Sequence, residues 1–248
     1  MKKFTRPSSL EYPTIYYKFK ALDIDGETKV QYRIQDFPRD RHEDGVKFMI
    51  NYFVDEVPTF KARDIGSDRV ALIEGSRLWR DILAEDISIA CFKEESDEII
   101  SMNLLTVKTK FDDDSENCDD DDNTKIHSRN LNDILHMHNL LQKQFDPFKH
   151  YGVDAYLYAC GLAVHPDYRG RGIATEMFKV RPLLLKALGL KVATSHFVGV
   201  GGQNAAAKAC YEENLVISYD ELYKINTDYY FSGVDNSNVK IMSLILPE

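Results

Sequence analysis

The feature that most constrains this chain is a glycine-rich turn between an apolar strand and a helix. Residues 155–164 are apolar and rich in strand-forming side chains, which predicts a buried β-strand. Gly170 and Gly172 follow, and a helix is predicted from about Gly172 to Leu188. Such a turn directs backbone N–H groups and the positive helix end towards one point, where glycine lets a phosphate approach. The pattern therefore predicts an anion-binding site.

Two common phosphate-binding motifs do not fit this turn. A P-loop ends in Gly-Lys-Ser/Thr, whereas Ile173, Ala174 and Thr175 stand at that place. A Rossmann turn needs a third glycine where this chain has Thr175. An ordinary strand–helix turn remains open on these residues alone, because glycines are common in such turns.

The segment Val164-His165-Pro166-Asp167-Tyr168-Arg169-Gly170-Arg171-Gly172-Ile173-Ala174 resembles the signature Val-x-Pro-x-x-Arg/Gln-x-x-Gly-x-Gly/Ala of the GCN5-related N-acetyltransferases. In that family the loop amides hold the coenzyme A pyrophosphate, and the preceding strand holds the pantetheine arm and the thioester carbonyl. The resemblance implies acetyl-CoA as cosubstrate, without a metal. It also implies a set of cofactor-binding residues: Leu162, Ala163, Val164, Arg169, Gly170, Arg171, Gly172, Ile173, Ala174, Thr175 and Asn204.

The chain is similar to a narrower group, the insect arylalkylamine N-acetyltransferases, over about residues 30–246. The similar segments include Tyr32–Gln35, Asn51–Pro58 and Gly202–Ala209, in that group's order and spacing. The resemblance implies that Glu56 is the general base. It also implies an arylalkylamine as the acceptor and a monomer or weak dimer in the cytoplasm. A polyamine, a hydrazine or an amino acid as acceptor, and a coenzyme A-binding member with little catalysis, are the alternatives.

A carboxylate base suits this chemistry. An amine is an ammonium ion at neutral pH and cannot attack a thioester until it loses a proton. A positioned carboxylate takes that proton directly or through water, and loop and strand amides stabilise the oxyanion that forms next. The competing interpretation of Glu56 is a solvated carboxylate at the end of a helix.

The chain departs from the group near its last helix. Phe197–Gly202 contains no hydroxyl side chain, although serines are common there in the group. Cys210 replaces the usual glycine, and Tyr211 follows it. The spacing from Asn204 to Tyr211 also fits a broader family pattern whose tyrosine protonates the leaving thiolate. Tyr211 is therefore either a catalytic general acid or a core tyrosine that closes a helix.

The order of predicted elements indicates a single α/β domain over residues 29–248, with a mixed sheet of about seven strands flanked by helices and a parallel pair at its centre. Residues 1–28 are predicted to form an arm with one irregular strand. The acidic run 111–123 is predicted to be a disordered surface loop, because like charges repel one another. It lacks the glycine and glutamate of an EF-hand. The remaining predicted strands are 30–36, 87–92, 99–107, 191–197, 216–225 and 239–246, and the remaining helices follow Asp44 and Ser67 and span 131–145 and 203–212.

Composition excludes several other functions. A net charge of −9 argues against nucleic-acid binding, and no apolar run approaches the roughly 20 residues that a membrane helix needs. The four cysteines are widely separated, which is typical of a reduced chain without a zinc site. His136 and His138 face different sides of their predicted helix and do not form a metal pair. His196 is a strand-end residue or a proton relay.

Overall fold

The computed structural model describes residues 4–110, 125–234 and 238–247. Within these ranges the strands are β1 (Ile15–Leu22), β2 (Lys29–Asp36), β3 (Ile89–Lys93), β4 (Ile99–Thr109), β5 (Ala155–Val164), β6 (Val192–Phe197), β7 (Glu212–Ser218) and β8 (Asn238–Ile245). The helices are α1 (His42–Tyr52), α2 (Pro58–Ala62), α3 (Arg69–Leu83), α4 (Arg129–Gln144), α5 (Pro147–Tyr151), α6 (Ile173–Lys179), α7 (Arg181–Leu188), α8 (Val200–Lys208) and α9 (Tyr219–Ile225).

The strands form one sheet in the order β1-β2-β3-β4-β5-β6-β8-β7. The pair β5–β6 is parallel, and the other neighbouring pairs are antiparallel. The predicted mixed α/β sheet with a central parallel pair is therefore confirmed. The helical connection between β5 and β6 explains their parallel course, because parallel neighbours need a crossover.

Helices cover both faces of the sheet, each over its own apolar core. On one face, α1, α3 and α4 contribute Phe48, Trp79 and Met137. On the other face, α6 and α7 contribute Met177 and Leu184. The central strands are apolar on both sides, as expected for strands covered on both faces.

Several predicted element boundaries are wrong, and three of them have a clear local cause. Of the others, the helix predicted at 203–212 spans Val200–Lys208, and the helix predicted after Asp44 begins at His42. The predicted strand 216–225 ends at Ser218, which forms a capping box with Glu221 and begins α9. The predicted helix from Gly172 to Leu188 is divided into α6 and α7 at Val180, just before Pro182, whose missing N–H cannot continue the ladder. The helix predicted at 131–145 begins at Arg129, because Ser128 caps it.

The predicted N-terminal arm supplies β1, which pairs with β2 and carries a register shift between Ile15 and Tyr17. The acidic run 111–123 lies outside the described residues. In the part of the chain that the structure describes, no helix is long and apolar enough to cross a membrane.

Candidate active site

A large cleft opens where the two parallel strands separate. β5 and β6 are paired only from Leu157–Ala159 to Ala193–Ser195, although both strands continue beyond that point. The cleft has a volume of about 2130 Å³ and is lined from both sheet strands and from helices on both faces. The gap between the strands exposes backbone groups that would otherwise be paired, which gives an extended ligand polar partners.

A bulge in β5 shapes the wall of the cleft. The register with β4 shifts between Leu104 and Leu105, where Cys160 is the extra residue. The Asn103 side chain donates a hydrogen bond to the Gly161 carbonyl at 2.6 Å. A Cβ on Gly161 would lie 3.0 Å from the Phe53 ring. Gly161 therefore lies beside the bulge, and the Phe53 ring packs directly against it.

The glycine-rich loop lies at one end of this cleft. Gly170 and Gly172 have φ of 75° and 81°, a left-handed conformation that favours glycine. A Cβ at either position would meet no atom within 4 Å. Gly172 directly precedes α6, so the loop presents open backbone beside a helix N-terminus. This arrangement fits a bound pyrophosphate.

Arg171 supports the glycine-rich loop from outside the cleft. Its guanidinium donates to the carbonyls of Asp23 at 2.6 Å, Ile24 at 2.9 Å and Arg169 at 2.9 Å. The first two belong to the turn between β1 and β2, so the side chain ties the loop to the sheet edge. Its side chain points to these carbonyls and does not line the cleft.

We expect Arg171→Ala to weaken acetyl-CoA affinity about tenfold, because the loop loses charge-assisted hydrogen bonds that fix its shape. Calorimetric titration measures the change. Arg39→Ala is the matched control, since Arg39 makes an exposed pair with Asp86 remote from the cleft. Unchanged affinity in Arg171→Ala would show that the loop holds its shape without this side chain.

Glu56 lies in the turn between α1 and α2 and lines the same cleft. Its Oε2 is 3.0 Å from Nη1 of Arg169, and its side chain is 56% exposed. Arg169 also donates from Nε to the Val164 carbonyl at 3.1 Å. The pair connects the carboxylate to the glycine-rich loop and leaves it open to water and to an incoming ligand.

Aromatic side chains form the wall of the cleft on the face of the sheet that α1, α3 and α4 cover. Phe53 packs against Phe60 at 5.2 Å and against Trp79 at 6.2 Å between ring centroids. Tyr158 faces the same space from β5, and Ile134 from α4. Charged residues of both signs, exposed or half-buried, also line the cleft: Asp81, Glu85, Lys108 and Lys143.

The structure brings most of the sequence-predicted site residues together. The following line the one cleft: Glu56, Leu162, Ala163, Val164, Arg169, Gly170, Gly172, Ile173, Ala174, Thr175 and Asn204. Arg171 and Tyr211 do not line it. Tyr211 is buried, with its ring against Phe178 and Phe197. Burial raises the pKa of Tyr211, and Arg181, its hydrogen-bond partner, opposes that shift.

Cys210 explains how Tyr211 reaches the core. Cys210 has φ of 62°, the left-handed conformation in which helices commonly end on glycine. The chain reverses there after α8, and the Tyr211 amide donates to the Ala206 carbonyl at 3.1 Å. Glycine would be the less strained residue at this position.

Two histidines and a tyrosine form a cluster where β5 and β6 separate. No single segment of the sequence indicated this cluster. His138 on α4 and His196 on β6 face each other with Nδ1 atoms 2.9 Å apart. The Tyr158 hydroxyl lies 3.3 Å from the same nitrogen of His196. Burial lowers the pKa of His138 to about 4 and that of His196 well below its ordinary value. The two histidines are 58 residues apart in sequence, so only the tertiary fold brings them together.

Across the described residues there is no group of three or more His, Cys, Asp or Glu side chains arranged to hold a metal ion. Asn103 is a second residue that the sequence did not point to. Its buried amide anchors the bulge, and a polar residue in an apolar strand was its only signal.

Comparison with known proteins gives one clear family. The sequence pattern of the Acetyltransferase (GNAT) family matches residues 142–215. The crystal structure of insect putative arylalkylamine N-acetyltransferase 7 from the yellow fever mosquito Aedes aegypti is 34% identical, with a TM-score of 0.93 over 98% of this chain and 99% of that one. No match was found among curated proteins.

Two more distant structures share the fold. Arylalkylamine N-acetyltransferase 2 from Aedes aegypti is 17% identical, with a TM-score of 0.73 over 87% of this chain and 99% of that one. The polyamine N-acetyltransferase of Drosophila melanogaster is 13% identical, with a TM-score of 0.69 over 87% of this chain and all of that one (100%).

Proposed function

This chain belongs to the GNAT family of acetyltransferases, and from that premise we propose that it moves the acetyl group of acetyl-CoA to the nitrogen of a primary amine, in particular an arylalkylamine. The observation that carries the proposal is the open glycine-rich loop and Glu56 in one cleft. The similarity to a putative arylalkylamine N-acetyltransferase at 34% identity supports the acceptor class.

The donor half of the proposal depends on the loop and on β5. Backbone amides from Arg169 to Thr175 would hold the pyrophosphate, aided by the N-terminus of α6. The pantetheine arm would extend along Leu162–Val164, in the gap that β6 leaves when it diverges from β5. Asn204 on α8 lines the same cleft.

The acceptor half depends on the aromatic wall. Phe53, Phe60 and Trp79 offer ring surfaces on which an aromatic amine can bury its ring. A polyamine is the less suitable acceptor, because it has no ring to bury against this wall. The nearby charges give it no net attraction, since Lys108 and Lys143 balance Asp81 and Glu85.

The proposed reaction is direct attack without a covalent enzyme intermediate. Glu56 removes a proton from the bound ammonium, through water or directly, and the free amine attacks the thioester carbonyl. Backbone N–H groups of the cleft stabilise the oxyanion. Loss of the second N–H proton and collapse of the tetrahedral adduct give the amide and the coenzyme A thiolate.

Titration with acetyl-CoA followed by thiol release against a panel of amines tests the proposal. We expect tight binding of acetyl-CoA, and release with phenylethylamine- or indolethylamine-type acceptors well above release with polyamines. Binding without release would favour a coenzyme A-binding member with little catalysis. Absence of binding would contradict the donor site.

A further inference from the structure

The acetyl transfer leaves one proton transfer without an assigned residue. The acceptor nitrogen loses two protons on its way from ammonium to amide, and Glu56 accounts for the first. The leaving sulfur gains one proton when coenzyme A is released as the thiol. A single group in the cleft that takes the second proton from nitrogen and gives it to sulfur would complete both transfers.

Several side chains near the strand gap are not suited to this task. The Tyr211 hydroxyl is buried outside the cleft against Arg181. The Ser195 hydroxyl donates to the Ala159 carbonyl at 2.8 Å and is engaged. Burial raises the pKa of the Cys160 thiol to about 12, so it gives up its proton poorly. The segment Val198–Gly202 has no hydroxyl at all.

We propose that the imidazole pair His138–His196 carries the second proton from the acceptor nitrogen to the coenzyme A sulfur, with Tyr158 as a positioning residue. This inference rests on the proposed acetyl transfer. The pair lies in the cleft at the point where β5 and β6 separate, and the pantetheine arm would run from there along β5.

The geometry lets the pair gain one proton beyond its neutral state and no more. Two Nδ1 atoms at 2.9 Å form a hydrogen bond only if one carries a proton and the other accepts it. A second positive charge at that distance is strongly unfavourable. The pair therefore alternates between a neutral and a singly protonated state, as a shuttle requires.

The surroundings favour rapid return of the proton. The charged and titratable groups that interact with the pair are Lys108 from β4 and Tyr158 from β5. Burial disfavours a lasting positive charge on His196, and His138 and Lys108 act in the same direction. A thiolate, whose conjugate thiol has an ordinary pKa of about 8.5, is then the better proton acceptor.

The second proton moves from nitrogen to sulfur in three steps. After attack, the N–H⁺ of the tetrahedral adduct gives its proton to the imidazole pair. The carbon–sulfur bond breaks, its electron pair stays on sulfur, and the carbonyl re-forms. The imidazolium then gives the proton to the thiolate, which leaves as the thiol and restores the neutral pair.

Replacement of His196 by alanine, with added imidazole, tests the proposal. We expect His196→Ala to lower kcat about 100-fold at unchanged acetyl-CoA affinity, and millimolar imidazole in the buffer to restore turnover in proportion to its concentration. His138→Ala should show a similar loss. His150→Ala is the control, because His150 is exposed on α5 and does not line the cleft, and we expect it to keep wild-type kcat.

Two outcomes would overturn the proposal: a kcat of His196→Ala within twofold of wild type, or a loss that imidazole does not reverse while acetyl-CoA still binds. If His196→Ala does not fold, Tyr158→Phe in the intact pair serves instead, and an unchanged solvent isotope effect on its kcat would overturn the positioning role. Failure of the wild type to acetylate any amine would count against the proposed function, not against this pair.

Discussion

Gly172→Val is expected to reduce acetyl-CoA affinity about 1,000-fold and to leave the fold intact. Gly172 has φ of 81°, where a β-branched residue is strained by about 1–2 kcal/mol or more. Relief of that strain would rotate the loop amides away from the pyrophosphate, and the added side chain would stand in the open space now above the loop. Loss of two charge-assisted hydrogen bonds, at about 1.5–3 kcal/mol each, accounts for the factor.

The chain offers a matched control for this substitution. Gly189 ends α7 with φ of 70°, and a Cβ there would also meet nothing within 4 Å. Gly189→Val therefore carries comparable backbone strain outside the cleft. Urea unfolding should show a similar decrease in the free energy of unfolding for both variants. Calorimetry should show a loss of acetyl-CoA binding only for Gly172→Val. Equal binding by the two variants would show that the loop is not the donor site.

Much of the fold could be predicted from local patterns. The strand over 155–164 was identifiable because ten residues of apolar and aromatic character precede a glycine turn. The hairpin of β3 and β4 was identifiable because two apolar runs flank a short polar segment. In both cases the signal lies within about 20 consecutive residues, which is the range that periodicity covers.

The errors came from competing local signals. The apolar residues of 216–225 indicated a strand, but Ser218 and Glu221 form a capping box that begins a helix. This S-x-x-E pattern was present in the sequence and was outweighed by the apolar residues around it. Pro182 was likewise visible, and its break in the helix could have been predicted.

The candidate site was only partly accessible from sequence. The anion-binding turn was predicted from its glycines, and Glu56 came from a resemblance; both line one cleft. The His138–His196 pair depends on how α4 lies over the sheet, which no local pattern encodes. The burial of Tyr211 outside the cleft depends on the left-handed turn at Cys210. Such a turn is usually predicted from a glycine, and this position has none.

Glu56→Gln is expected to lower kcat about 1,000-fold near pH 7 and to leave acetyl-CoA affinity unchanged. The amide cannot accept the proton of the acceptor ammonium, although it preserves the volume of the side chain and can still bond to Arg169. The deficit should shrink as the pH approaches the pKa of the amine, about 10 for an alkyl ammonium, because the free amine then needs no base. Steady-state kinetics from pH 6.5 to about 10 measure both effects.

Glu43→Gln is the matched control, because Glu43 on α1 also forms an ion pair with an arginine, Arg80, but lies outside the cleft. It should keep wild-type kcat at every pH. A loss in Glu56→Gln that stays constant up to pH 10 would mean that the carboxylate positions Arg169 and the loop instead of removing a proton. That alternative also predicts weaker acetyl-CoA binding, so one titration and one pH profile distinguish the two roles of Glu56.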